Sequence, residues 1–376
     1  MRILMTGGGT AGHVNPALAI AATIQEKRPD AEIAFVASAL PRDKANDLVP
    51  RAGYSLHTVH IRGLARPVWS PSNLKLPFIM IRSAGEAGRI IDEFGPDLIV
   101  GTGGFACWPT CRMGIKKGIP TALHESNALP GQAVRKLKGK ADLVMVNFAE
   151  TIERLGGGGK GSNMIRVGNP MMAGFGQVSR DEARAKLGIA PDELFVLSFG
   201  GSLGAEYVSD AVVKLAAALT ADSRVKLLHA AGKRDYDRIR ADWDGTPAGS
   251  CDRMTLVDYI YDMPDRMAAA DLVISRAGAM SISELALMGK ASVLIPSPYV
   301  PDNHQLKNAM ALVKEGAGVC VEEHTLVDGA LTRTVTELLD SPHRRDTLGR
   351  LIREKFACPE ANDTIYECLM KLVKSN

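Results

Sequence analysis

Three times in this chain of 376 residues a short apolar run ends in a glycine-rich turn and gives way to a helical pattern. The turns are Gly7-Gly8-Gly9-Thr10-Ala11-Gly12, Gly101-Thr102-Gly103-Gly104 and Gly200-Gly201-Ser202-Leu203-Gly204. Short buried strands alternating with helices predict an α/β fold with parallel sheets, whose ligands lie at the carboxyl ends of the strands. Glycine lets the backbone approach a phosphate, and the following helix offers unpaired N–H groups and a positive dipole end. Three such turns spread over both halves point to an anionic ligand.

None of the three is a P-loop, because G-x-x-x-x-G-K-[ST] is absent. The first satisfies G-x-G-x-x-G at Gly7, Gly9 and Gly12, which keeps a dehydrogenase among the alternatives. Against it, Glu32 opens the second strand instead of closing it, and the strand's end at Ala37-Ser38 lacks the acid a ribose needs.

The length exceeds what one core usually supports, so two domains are expected. Strands are expected over residues 2–6, 32–37, 97–100, 121–124 and 143–146, then 194–199, 224–230, 254–257, 272–275 and 292–295. Asn15 and Pro16 predict an N-cap and the first position of a helix. The Gly-, Asn- and Pro-rich segment 156–176 is expected to link the domains, and 351–373 reads as a helix able to pack on either.

Residues 1–160 carry 20 Lys+Arg against 13 Asp+Glu, whereas the remainder carries 25 against 29. This modest asymmetry suits a phosphate-bearing ligand or an anionic membrane on the first half, scattered surface lysines being the alternative, and gives no sign of nucleic acid. The six cysteines make no CxxC pair and no zinc spacing; Cys107 and Cys111 read as buried thiols. The triplets Asp235-Tyr236-Asp237 and Asp242-Trp243-Asp244 read as a solvated helix face, so no metal and no cofactor is expected. With no signal peptide and no run of 18 apolar residues, the expected compartment is the cytoplasm.

Two further stretches carry chemistry. In Ser275-Arg276-Ala277-Gly278-Ala279-Met280-Ser281-Ile282-Ser283-Glu284 a strand end passes into a helix bearing a carboxylate in its first turns. A carboxylate there can accept both hydroxyls of a ribose while helix N–H groups face a diphosphate; complementing the helix dipole is the alternative. The Pro-bounded loop from Pro298 to Gln305 can present His304 and Gln305 to sugar hydroxyls, an ordinary capped loop being the alternative. Residues 64–82 mix Trp69, Leu74, Leu76, Phe78, Ile79 and Met80 with Arg62, Arg66, Lys75 and Arg82 in and beside the run, and Arg135, Lys136, Lys138 and Lys140 form a second basic cluster. Apolar anchors among cations suit an anionic bilayer surface, the alternative being core.

Taken in order, His13 with Asn15-Pro16, residues 101–109, His124-Glu125-Ser126-Asn127, Val167-Gly168-Asn169-Pro170, residues 200–205, 276–284 and 302–309 resemble the MurG family of peptidoglycan glycosyltransferases. The resemblance spans nearly the whole chain. It implies the GT-B fold: two Rossmann-like domains with parallel sheets facing a cleft, here residues 1–165 and 166–351, and a C-terminal helix of about 352–376 returning to the first. It implies inverting transfer of N-acetylglucosamine from UDP-N-acetylglucosamine to the C4 hydroxyl of the muramoyl sugar of undecaprenyl-linked lipid I, giving lipid II. Expected partners are those substrates, anionic inner-leaflet phospholipid and other cell-wall synthesis proteins, with the enzyme peripheral at the cytoplasmic face of the membrane.

By the same resemblance, Thr10, Ala11, Gly12 and Asn127 match positions facing the donor sugar, and Ser202 a hydroxyl on UDP. Ile260 matches a backbone contact to uracil. Ala279, Met280, Ser281, Ile282, Ser283 and Glu284 match the nucleotide segment, with Glu284 on the ribose. His304 and Gln305 match the polar pair on the sugar, and His13 is the expected base or acceptor-positioning residue. Met172 stands where the family carries a cation, which leaves Arg276 or helix dipoles for the diphosphate. Leu203 and Ser126 replace Gln, and Ala11 replaces Gly. A diacylglycerol glycosyltransferase and a UDP-sugar sensor are the remaining alternatives.

Overall fold

A computed structural model describes residues 1–63, 69–157, 159, 161–172, 174–200 and 205–374. The chain forms two compact units, Met1–Met171 with Glu360–Asn376, and Met172–Pro359.

The first unit opens with β1 (Arg2–Gly7), α1 (Ala11–Lys27), β2 (Glu32–Ser38), α2 (Ala45–Arg51) and β3 (Ser55–Val59). It continues with α3 (Leu76–Phe94), β4 (Leu98–Gly103), α4 (Cys107–Lys116), β5 (Thr121–Glu125) and α5 (Gln132–Leu137). β6 (Leu143–Val146), α6 (Ala149–Arg154) and β7 (Met164–Arg166) complete its sheet. The strand order is β3-β2-β1-β4-β5-β6-β7, all parallel. Alternate strand residues feed two cores. Ile3, Met5, Phe35 and Val100 face Val14, Leu18 and Ile24 of α1, whereas Leu4, Val36 and Ile99 face Ile91 and Cys107.

The second unit runs α7 (Arg180–Leu187), β8 (Leu194–Phe199), α8 (Glu206–Leu219), β9 (Val225–Ala230), α9 (Tyr236–Asp244) and β10 (Met254–Val257). Then come α10 (Met263–Ala269), β11 (Leu272–Ser275), α11 (Ala279–Met288), β12 (Ser292–Leu294) and α12 (His304–Lys314). β13 (Val319–Cys320), α13 (Ala330–Leu339) and α14 (Pro342–Phe356) finish it. Its parallel order β10-β9-β8-β11-β12-β13 is the doubly wound one, with the reversal between β8 and β11.

The local readings differ from the structure in instructive places. α1 starts at Ala11 with Thr10 as its N-cap, so Asn15 caps nothing and Pro16 lies inside the helix. Proline there removes the donor for the Gly12 carbonyl, which is tolerable because Gly12 is exposed. The segment 156–176 expected to link the domains does contain the passage between units, after Met171, but it also holds β7. The expected C-terminal helix is two helices: α14 in the second unit, then, past Pro359, α15 (Ala361–Lys374) in the first. Proline disfavours helical backbone at Cys358 and separates them. Ile365 and Leu369 of α15 join the α1 core, Lys27 pairs with Asp363, and Asn362 holds both the N–H and the carbonyl of Met171, at 2.8 and 2.9 Å.

Candidate functional site

In the first unit the sheet's reversal lies between β1 and β4, which sets two glycine turns against each other. The Gly8 N–H donates to the Gly103 carbonyl at 3.3 Å. A Cβ on Gly104, whose φ is +84°, would stand 2.1 Å from the Gly8 carbonyl oxygen, and one on Gly7 2.1 Å from Thr102 Oγ1. Gly104 is therefore demanded by backbone meeting backbone, and Gly7 by the Thr102 side chain packed against it. Thr102 Oγ1 donates to the His13 carbonyl at 2.7 Å, and the His13 ring lies over Gly103, where a Cβ would meet Cδ2 at 2.6 Å.

His13 Nδ1 sits 3.2 Å from the Gly8 carbonyl and 3.4 Å from Thr10 Oγ1. A carbonyl only accepts, so this pattern assigns the proton to Nδ1 and the lone pair to Nε2, the tautomer a base needs. Because α1 begins at Ala11, the N–H groups of Ala11 and Gly12 belong to its first turn, where helices have no internal acceptor. Thr10, Ala11, Gly12 and His13 are thus brought together on one turn.

Asp43, absent from the sequence reading, holds that turn. Its carboxylate is buried and accepts from Gly9 N at 2.7 Å, Ala45 N at 3.0 Å and Ser38 N at 3.1 Å. A side-chain anion already occupies the Gly9 amide, which argues against a dinucleotide pyrophosphate there. The dehydrogenase alternative loses its anchor for the same reason.

At the end of β5, Glu125 accepts from Asn127 N at 3.0 Å, Asn127 Nδ2 at 3.2 Å and Gly131 N at 2.7 Å. Burial raises its carboxyl above the usual range, with those N–H donors opposing. Asn127 is oriented by this neighbour. His124 is buried, bonds the Gly168 carbonyl through Nε2 at 2.9 Å and is pushed down to about 4 by burial, so it is neutral. The His124 and Val167-Gly168-Asn169-Pro170 motifs are therefore one structural contact.

In the second unit Gly278 caps α11 and Glu284 is its sixth residue. Glu284 is half-buried, its carboxyl has no partner among the described residues, and burial raises it to about 7. Met280 and Ser281, four and three residues earlier, share its face. Arg276, the alternative cation for the diphosphate, pairs with Glu323 at 2.5 Å and donates to the Ile295 carbonyl at 3.3 Å. Ala279, Ile282 and Ser283 are buried.

Gln305 Oε1 accepts from Ser297 N at 2.8 Å, which orients its amide. His304 Nδ1 lies 2.9 Å from the Pro301 carbonyl, and burial lowers its pKa. Ahead of them Asp302 and Asn303 both hold left-handed φ, +54° and +53°, a strained pair of the kind that gathers at ligand sites. Ile260 is buried between Tyr259 and Tyr261, whose rings meet edge to face at 4.9 Å with Lys233 Nζ 5.9 Å from each. The aromatic spacing was the one sequence signal for that cluster.

Ser202 and Leu203 lie outside the described residues, as do residues 64–68, including Arg66. Asp235, Asp242 and Asp244 pair with Arg234, Arg238 and Arg240 around α9. Cys107 and Cys111 are buried free thiols 3.8 Å apart. Trp69, Leu74 and Phe78 are 76–85% exposed, and Ile81, overlooked in the sequence, is 73% exposed. Leu76, Ile79 and Met80 are half-buried. Among the described residues no helix is long and apolar enough to cross a membrane.

Residues 3–146 match the glycosyltransferase family 28 N-terminal domain and residues 195–357 its C-terminal domain. The chain is 36% identical, over 100% of its length and 99% of the relative's, to the UDP-N-acetylglucosamine–N-acetylmuramyl-(pentapeptide) pyrophosphoryl-undecaprenol N-acetylglucosamine transferase of Acetivibrio thermocellus. It is 33% identical to transferase 1 of that name in Bacillus cereus, covering 100% of both chains. Among solved structures it is similar to MurG of Acinetobacter baumannii, with TM-score 0.78, 24% identity and coverage of 98% and 99%. That likeness concerns the fold, which is GT-B. The chain, matched end to end by transferases of this one kind, belongs to the MurG family within glycosyltransferase family 28.

Proposed function

We propose that this enzyme transfers N-acetylglucosamine from UDP-N-acetylglucosamine to the C4 hydroxyl of the muramoyl sugar of undecaprenyl-linked lipid I, with inversion, yielding lipid II and UDP. The observation that carries the reading is the end-to-end similarity to transferases of that activity. The acceptor oxygen attacks the anomeric carbon, a C–O bond forms, and the bond to the β-phosphate breaks with its electron pair leaving on UDP. The hydroxyl proton passes to His13 Nε2. Such a base contributes about 100-fold or more to the rate.

Thr10, Ala11, Gly12 and Asn127 bind the transferred sugar, the first three through the open turn of α1. In the second unit Glu284 accepts the ribose hydroxyls, the N-terminal turn of α11 from Ala279 to Ser283 serves the diphosphate, Ser202 binds UDP, and the Ile260 backbone reads uracil. His304 and Gln305 bind sugar hydroxyls. With Arg276 held by Glu323 and Met172 in the cation's place, leaving-group charge falls on helix N–H groups.

The enzyme works peripherally at the cytoplasmic face of the membrane. Phe78 and Ile81, three residues apart, share one outward face of α3, with exposed Leu74 just ahead of the helix and exposed Lys75 and Arg82 beside them. α3 packs on α4 and α4 on α5, so the exposed Lys136 and Lys140 belong to the same helical layer. Large apolar side chains left in solvent among cations suit an anionic lipid surface.

The test is transfer of labelled N-acetylglucosamine to a lipid I analogue by purified protein, with diacylglycerol as competitor. Transfer to the lipid I analogue alone is expected, and His13→Ala should lower turnover by about 100-fold while UDP still binds. UDP-N-acetylglucosamine binding without transfer to either acceptor would mean a sensor and overturn the proposal.

A further inference from the structure

α11 carries Glu284 near its start and ends at Gly289, at the opposite edge of the second unit's sheet. There a cavity of about 510 Å³ opens where Leu194 enters β8, Asp271 precedes β11 and Ala291 precedes β12, with Arg345, Gly349 and Arg350 of α14 across from them. Its volume lies in the range of small-molecule sites.

The charges around it do not cancel where they are deepest. Asp271 is bound from both sides, by Arg180 at 2.6 Å and Arg184 at 3.0 Å, and accepts from Phe195 N at 2.7 Å as well. Lys290 lines the same cavity, is 8% exposed, and among the described residues has only carbonyls for hydrogen-bond partners, Ala268 at 2.6 Å and Ala270 at 3.0 Å. Burial and the neighbouring Arg180 press its ammonium down to about 8, as expected for a cation lacking an anion of its own. Among the described residues Arg345 likewise donates only to the carbonyls of Leu338 and Leu339, at 2.5 and 2.6 Å. Glu193 is neutralised by Lys226 at 2.8 Å, and the remaining acids, Asp192 and Asp346, are exposed at the rim.

We propose that this cavity is a second ligand site, taking a small phosphate-bearing metabolite of about monosaccharide-phosphate size, its phosphate between Lys290 and Arg345. Nothing in the transfer reaction uses these residues. If Lys290 and Arg345 served only as caps for the C-terminal carbonyls of α10 and α13, the cavity would bind no anion.

Calorimetric titration of the full chain with inorganic phosphate and with glucose 6-phosphate, at fixed ionic strength and with UDP saturating, tests this. Saturable binding at one site is expected, tighter for glucose 6-phosphate than for phosphate. Arg345→Glu should weaken it by about tenfold or more. Because Arg345 also holds α13, the rim variant Arg350→Glu provides the second reading, with a smaller loss of about threefold and an unchanged melting temperature. Absence of saturation by either probe up to about 10 mM, or affinity unaltered in both variants, would overturn the site.

Discussion

The Asp43 carboxylate accepts the Gly9 N–H at 2.7 Å, so a buried anion from the loop after β2 fixes the turn that leads into His13. The same carboxylate accepts from Ser38 and Ala45, which joins the end of β2, the start of α2 and the glycine turn at one point. Asp43→Ala would strand the amides of Ser38 and Ala45 in a region closed to water and leave the half-buried Gly9 amide without its acceptor. The expected loss is about 3 kcal/mol or more of stability, together with a fall in kcat, and Asp43→Asn should lie between. Thermal melts and steady-state kinetics on the two variants check it; an unchanged kcat in the alanine variant would separate the turn from catalysis.

Gly104 and Gly118 both hold positive φ, +84° and +73°, but only Gly104 meets another backbone: its Cβ would lie 2.1 Å from the Gly8 oxygen, whereas Gly118 has open space. Alanine at 118 should cost about 1 kcal/mol of strain and leave turnover intact. Alanine at 104 must push the turns apart and displace His13, and a shift of about 1 Å lowers rate about 100-fold. Equal activity of the two variants would refute the turn-on-turn argument.

Nucleotide binding should depend on pH through Glu284. Its carboxyl is raised to about 7 without ligand, and ribose hydroxyls donate to the ionised form, so binding releases a proton. UDP affinity is then expected to rise from pH 6 to about 7 and level off above it, and Glu284→Gln should flatten the curve. For folding the sign is opposite: a raised carboxyl favours the folded state fully below its unfolded value, and that contribution fades as pH rises through 7. Calorimetry in buffers of different ionisation enthalpy reads the proton directly.

Phe78 and Ile81 present apolar surface to solvent, and burying one such side chain in lipid is worth about 2 kcal/mol. Phe78→Asp should therefore lower binding to phosphatidylglycerol vesicles by about 30-fold, and added salt should weaken the wild-type protein's binding as well. Transfer to a water-soluble acceptor should be unaffected. Vesicle flotation that ignores both the substitution and salt would remove the membrane assignment.

The order of the main strands and the first two glycine turns were legible in the residues, because each is a local requirement written where it acts. A glycine is needed at the position whose φ or close approach excludes a Cβ, and an apolar run marks a strand buried on both faces. β3, β7 and β13 were not legible. β3 and β7 are short and half exposed, β13 is two residues long, and their pairing partners supply most of the reason for their extended backbone.

The sequence by itself therefore determined the architecture, the places where backbone must come close to backbone, and the family. Only the tertiary structure decided which partner each polar group takes. It gave Asp43 to Gly9, Arg276 to Glu323, His124 to Gly168 and Asn362 to Met171, pairs separated by 34 to 191 residues. It also started α1 at Thr10 and Ala11 in spite of Asn15-Pro16, and divided the last helical stretch between the two units. The physical reason is that propensity acts within a few residues, whereas the burial that makes a charge or an amide require a partner exists only once the chain has folded.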